Sequence, residues 1–158
     1  MRILGVDPGI SITGFSIIDY KKNKTSLLAY GTIRPKSKDN LPKRLNYLFE
    51  EINKILDQFS PDVLAIEDAF YSNNVKSAMI LGQARGCIIL AASQADILIY
   101  EFAPRKVKMS VCGNGAASKE QVSYMVTKIL KLEKAPNPLD VSDAMAVGLC
   151  YINQSRIL

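Results

Sequence analysis

Four consecutive apolar residues, Val63-Leu64-Ala65-Ile66, stand between Ser60-Pro61-Asp62 and Glu67-Asp68. The run is too short for a helix of its own and follows a helix breaker, which makes it a strand. It shows no polar alternation, so it is buried on both faces, as strands of a parallel sheet covered by helices are. The chain opens on a second such run, Ile3-Leu4-Gly5-Val6, which stops at Asp7-Pro8-Gly9. A residue before proline is held out of the helical region, so Asp7 stays extended as the strand ends, and Gly9 lets the backbone turn. Two buried strands that each finish in a carboxylate constrain the chain to an α/β sheet with acids at its strand tips. Taken alone, Asp-Pro-Gly is equally a plain turn. Its weight comes from the rest of the chain.

The remaining sequence fills in that architecture. Residues 14–20 and 26–33 are strand candidates around the polar turn Lys21-Lys22-Asn23-Lys24, and with the opening strand they make an antiparallel meander. After a polar linker over 36–40, Leu45, Leu48, Ile52, Ile55, Leu56 and Phe59 recur at helical spacing and predict a helix over 41–59. A loop with Phe70 and Tyr71 leads to a helix over 77–94. There Gly82 and Gly86 share one face, against which the sheet or another subunit can pack closely. A strand over 97–102 stops before Pro104, and Arg105-Lys106-Val107-Lys108 begins a short basic helix. Gly113-Asn114-Gly115 lacks the preceding strand and the lysine of a phosphate loop. Ser118 and Gln121 form a capping box for a helix to about residue 131. Beyond Ala135-Pro136-Asn137-Pro138, a last helix over 140–152 turns Ala144, Val147 and Cys150 or Tyr151 inward. The order βββαβαβαα, without internal repeats, describes one domain over 1–158: a mixed five-stranded sheet with helices on both faces.

The chain contains no histidine. That excludes Ser-His-Asp and Cys-His nucleophiles, HExxH zinc sites and Cys2His2 fingers together. Cys87, Cys112 and Cys150 are odd in number and widely spaced, as reduced core thiols of a cytoplasmic protein are. No stretch approaches the ~18 apolar residues of a membrane span. The net charge of +5, carried by scattered basic residues, hints at a polyanionic partner.

Four acids carry the chemistry: Asp7 and Glu67 at strand ends, and Asp140 with Asp143 on one face at the start of the last helix. Asp7 and Glu67 meet if their strands are parallel neighbours, since sites in open α/β sheets form at the carboxyl ends of strands. Converging carboxylates repel one another and call for cations. Two Mg²⁺ ions ~3.5–4 Å apart balance four carboxylates and clamp a phosphodiester for in-line attack by water. Oxygen-only ligands select Mg²⁺ or Mn²⁺ over zinc. Asp140 and Asp143 also suit a plain helix N-terminus, so the reading rests on all four acids together.

The chain resembles the RuvC family of bacterial Holliday-junction resolvases. The resemblance lies in Ile3-Leu4-Gly5-Val6-Asp7-Pro8-Gly9 with Thr13-Gly14, in Ile66-Glu67 and Phe70, and in Leu81-Gly82-Gln83-Ala84-Arg85-Gly86. It continues through Gly113-x-Gly115-x-Ala117-x-Lys119-x-Gln121-Val122 and Asp140-x-x-Asp143-Ala144, all in family order. It implies an RNase H-like fold and a homodimer that nicks two opposing strands of a four-way DNA junction, leaving ligatable 5′-phosphate ends. It implies two Mg²⁺ per subunit, with Mn²⁺ as substitute, held by Asp7, Glu67, Asp140 and Asp143. Phe70 matches an aromatic that stacks on a base, and Lys108 and Lys119 match basic residues near the scissile phosphate. The partners implied are junction DNA and the RuvA–RuvB branch-migration complex, with no membrane. Rival expectations are a ribonuclease on RNA–DNA hybrids, an actin-like ATPase, which needs far more chain, and a junction binder without catalysis.

Overall fold

The computed structural model describes residues 1–68 and 74–155. Strands β1 (Arg2–Asp7), β2 (Thr13–Lys21) and β3 (Lys24–Ile33) form the expected antiparallel meander. Between β2 and β3, Lys22 and Asn23 both take left-handed backbone angles, with φ of 49° and 61°. Such a two-residue turn has the twist that antiparallel strands require. Strands β4 (Val63–Glu67) and β5 (Leu98–Phe102) extend the sheet in parallel with β1, giving the order β3-β2-β1-β4-β5. The two apolar runs are therefore its two central parallel strands.

Helices cover both faces, as expected. Helix α1 (Leu41–Phe59) starts at Asn40, whose side chain accepts from the Lys43 amide, and ends at Ser60 in a left-handed conformation. With α2 (Val75–Gln94) it covers the face bearing Leu4, Val6, Leu64 and Ile66, all fully buried. Each such branched side chain contributes roughly 1.5–3 kcal/mol when taken from water. The other face, with Ile3 and Ala65, packs under α3 (Pro104–Cys112), α4 (Lys119–Ile129) and α5 (Leu139–Ser155). The capping box of Ser118 and Gln121 is formed at the head of α4.

Helix α5 departs from the one-stripe expectation. Ala144, Val147 and Cys150 are buried, but so is every residue from 144 to 150, because the sheet lies beneath the helix while α3 and α4 flank it. It comes close to the sheet only because β1 and β2 carry glycine there. A Cβ on Gly5 would run into the Ala144 carbonyl, and one on Gly14 into the Asp140 carbonyl.

Helix α2 narrows one expectation and corrects another. Gly82 and Gly86 do not face the sheet: nothing lies within 4 Å of where a Cβ would stand on either. They belong to an outward stripe with Val75, Met79 and Leu90, which are 75%, 63% and 52% exposed. By length and composition the helix would also pass for a membrane span. The cause is the same: this helix has only Lys76 and Arg85 as charged residues, and its outer side carries Val, Met, Gly and Leu where surface helices carry charge.

Candidate active site at the carboxyl edge of the sheet

Register brings the first two acids together. Strands β1 and β4 pair in parallel with Val6 beside Ile66, so Asp7 and Glu67 occupy the next row as neighbours. Side chains alternate along a strand, and Ile3 and Ala65 face α5. Asp7 and Glu67 have the same parity and turn to that face as well. Helix α5 begins over the same row, because Gly14, the β2 partner of Asp7, leaves room for the Asp140 backbone. Asp143 then follows within the first turns of α5.

Asp7, Glu67 and Asp143 line one small cavity of about 140 Å³, together with Lys108 of α3 and Lys119 at the head of α4. Pro104, Val107, Val122 and Ala146 make its apolar walls. Lys119 Nζ lies 3.1 Å from Asp143 Oδ2. Burial pushes the Asp7 carboxyl up to about 8, helped by repulsion from Glu67, Asp143 and Asp140 in turn. Burial likewise raises Glu67 and Asp143, against the pull of Lys119 and Lys108. The neighbouring Asp143 in turn raises the Lys119 ammonium. A buried group of acids with raised proton affinity is short of positive charge, and a hard divalent cation supplies it.

The donor set fits such an ion: carboxylate oxygens, no imidazole or thiolate. Among the described residues no three acids are gathered closely enough to hold one ion, although Asp7, Glu67 and Asp143 line the same cavity. Lys119 pairs with Asp143 at this edge and offsets part of the charge that the acids gather there. Asp140 does not line the cavity, yet its charge acts on Asp7, Asp143 and Lys119. Phe70 lies outside the described residues.

The basic residues look scattered in the sequence, but the fold gathers some of them. Strand β3 ends at Ile33, which pairs with Thr13, one row from the pairing of Asp7 with Gly14. The chain therefore leaves the sheet at the acid edge and runs through Arg34, Lys36, Lys38, Lys43 and Arg44, with Asp39 the single acid over 34–44. An Arg44 terminal nitrogen donates to the Ile10 carbonyl at 3.1 Å and to Ser11 Oγ at 3.2 Å, tying this segment to the turn after Asp7. The charge density of 34–44 was the signal that sequence reasoning missed. Only strand order shows where it lies.

A family model described as "Crossover junction endodeoxyribonuclease RuvC" matches residues 3–151. The chain is 47% identical over 156 residues to the crossover junction endodeoxyribonuclease RuvC of Finegoldia magna, covering 99% of this chain and 95% of that one. Among solved structures, Thermus thermophilus RuvC superposes with a TM-score of 0.89 at 29% identity, covering 99% of this chain and 96% of that one. The same protein in complex with a Holliday junction substrate gives 0.90 at 27% identity, with the same coverage.

Proposed function

Because the chain belongs to the crossover junction endodeoxyribonuclease RuvC family, we propose that its acid edge hydrolyses phosphodiesters at four-way DNA junctions. Its fold is RNase H-like and its activity that of a Holliday-junction resolvase acting in recombination and repair. One observation carries the assignment to this site: three carboxylates from β1, β4 and α5 share one small cavity with two lysines.

Asp7, Glu67, Asp140 and Asp143 are the residues that would hold Mg²⁺, two ions per subunit, with Mn²⁺ as substitute. When bound, the metal activates the attacking water and balances charge on the phosphate. Lys119 and Lys108, placed on the lip by α4 and α3, hold the scissile phosphate against the acids. The segment over 34–44 follows the flanking backbone, which basic residues bind without regard to sequence. Phe70 stacks on a base near the crossover, an interaction worth roughly 1–3 kcal/mol per base. The products are paired nicks with ligatable 5′-phosphate ends.

Paired nicks require two sites, and the outward stripe of α2 supplies a surface for a homodimer. Val75, Met79, Gly82, Gly86 and Leu90 fall at spacings of four, three, four and four, the seam by which one helix packs on another. Bare glycines at its centre let two backbones approach closely. Junction DNA and the RuvA–RuvB branch-migration complex complete the proposed partners, in the cytoplasm.

The test is cleavage of a synthetic four-way junction beside linear duplex and RNA–DNA hybrid, with Mg²⁺ and with EDTA. Paired Mg²⁺-dependent nicks in the junction alone are expected. Cutting of the hybrid instead would move the activity to a ribonuclease, and tight junction binding without cutting would leave a binding protein.

A further inference from the structure

Arg85 is the one cation in the middle of an otherwise apolar helix, and its side chain is only 15% exposed. It reaches from α2 across the ends of β4 and β5. Its Nε donates to the backbone carbonyl of Glu67 at 3.1 Å. A terminal nitrogen pairs with Glu101 and stands 3.4 Å from Asp68 Oδ1. Glu101 lies beside Ile66 in the β4–β5 ladder, and the Asp68 amide donates to the Phe102 carbonyl at 2.8 Å. All three partners of the guanidinium therefore lie within one residue of Glu67 or in the adjoining row.

We propose that Arg85 is a positioning residue for the metal site: it fixes the end of β4, and so the direction in which Glu67 presents its carboxylate to Asp7 and Asp143. A strand's last carbonyl has no continuing ladder to hold it, and here a planar, rigid guanidinium takes that part while its other arm is anchored on two carboxylates. One anchor, Glu101, belongs to β5 and the other, Asp68, directly follows β4, so the fork fixes the strand end relative to the sheet as well as to the helix. Arg85 rises from the same helix as the bare stripe, so on this proposal a shift of α2 is passed on to Glu67. Lysine cannot replace this: an ammonium lacks the fixed fork that reaches the carbonyl and both acids in one geometry.

The inference rests on Glu67 being a metal ligand, as proposed above. Mn²⁺ binding to the full chain, measured by electron paramagnetic resonance without DNA, tests the two separately when Arg85→Met is compared with Glu67→Gln. Arg85→Met is expected to weaken Mn²⁺ binding by roughly 10–100-fold, the usual effect of losing a group that orients a ligand. Cleavage should lose kcat while junction affinity in EDTA changes by less than about twofold, and Arg85→Lys should recover only part of the loss. Unchanged Mn²⁺ binding in Arg85→Met, with Glu67→Gln impaired, overturns the role of Arg85. Unchanged binding in Glu67→Gln overturns the ligand assignment instead. Should Arg85→Met not fold, Glu101→Leu keeps the bond to Glu67 and removes one anchor. It should weaken Mn²⁺ binding in the same direction by a smaller factor, and no change there counts equally against the proposal.

Discussion

The carbonyl of Asp140 occupies the space that a side chain on Gly14 would need. Gly14 also pairs with Asp7 across β1 and β2, so one hydrogen-sized side chain sets the distance between the first acid and the helix that bears the last two. Gly14→Ala is expected to push the head of α5 off the sheet. Overpacking of this kind costs roughly 1–3 kcal/mol. A misplacement near 1 Å at a reacting centre costs about 100-fold in rate. Thermal melting and single-turnover junction cleavage report the two effects. Cleavage at the parent rate would mean that the helix position is not what assembles the acids.

Asp7 is the acid most strongly disfavoured as an anion, and substitution should separate stability from activity. Asp7→Asn removes one proposed ligand and one buried carboxyl while leaving the basic surface in place. Cleavage should fall by at least about 10²–10³-fold, the scale of losing one charge-stabilising group from a reacting centre. Gel-shift affinity for a junction in EDTA should persist, and in EDTA the variant should gain on the parent in melting temperature as pH rises through 8, where the parent comes to hold a buried anion. Loss of junction binding along with cleavage would make Asp7 structural.

Stability should depend on pH with a sign opposite to that of ordinary ion-paired acids. Asp7 rises from a normal 3.8 to about 8 on folding, and Glu67 and Asp143 rise too. Between those values the folded chain holds protons that the unfolded chain has released. Stability in EDTA is therefore full below about pH 4 as far as these groups go, and declines as pH rises towards 8. The slope is at most about 1.4 kcal/mol per pH unit for each proton. Mg²⁺ needs the deprotonated carboxylates, so its stabilisation should be larger at pH 8.5 than at pH 5.5. Melting curves at the two values, with and without Mg²⁺, check this. A melting temperature in EDTA that climbs from pH 5.5 to 8.5 would contradict it.

The segment over 34–44 should show itself in salt dependence. Replacing Lys36, Lys38 and Lys43 together by glutamine is expected to make the fall of log K with log salt shallower, by about 0.9 for each phosphate that these lysines neutralise in the parent. Cleavage at saturating enzyme should be nearly unchanged, because the acids are untouched. An unaltered slope would show that DNA does not run over this segment.

Much of this site was legible in the chain because it depends on short-range patterns. Two apolar runs ended by acid, a helix opening on Asp140-x-x-Asp143 and a capping box before Lys119 each leave a local signature, while the parallel pairing of β1 with β4 stood only as a condition that the register then met. Other features depend on which element lies next to which. Gly82 and Gly86 have the spacing of a packed face, yet spacing is the same whether that face meets the sheet or lies open. Residues 36–40 read only as a polar linker until the pairing of Ile33 with Thr13 put the exit of β3 beside Asp7. Arg85 was visible within its motif, but its acceptor is a backbone carbonyl, and a backbone carbonyl has no letter in the sequence.

Helix α5 is the last regular element among the described residues, yet it fills the centre of one face of the sheet and carries Asp140 and Asp143. During synthesis the sheet and the first four helices leave the ribosome before it. Until it docks on Gly5 and Gly14, Asp7 and Glu67 face no partner acids. On the proposed ligand set, a chain clipped before residue 139 keeps Asp7 and Glu67 but lacks Asp140 and Asp143, so it should bind the metal weakly and leave DNA uncut.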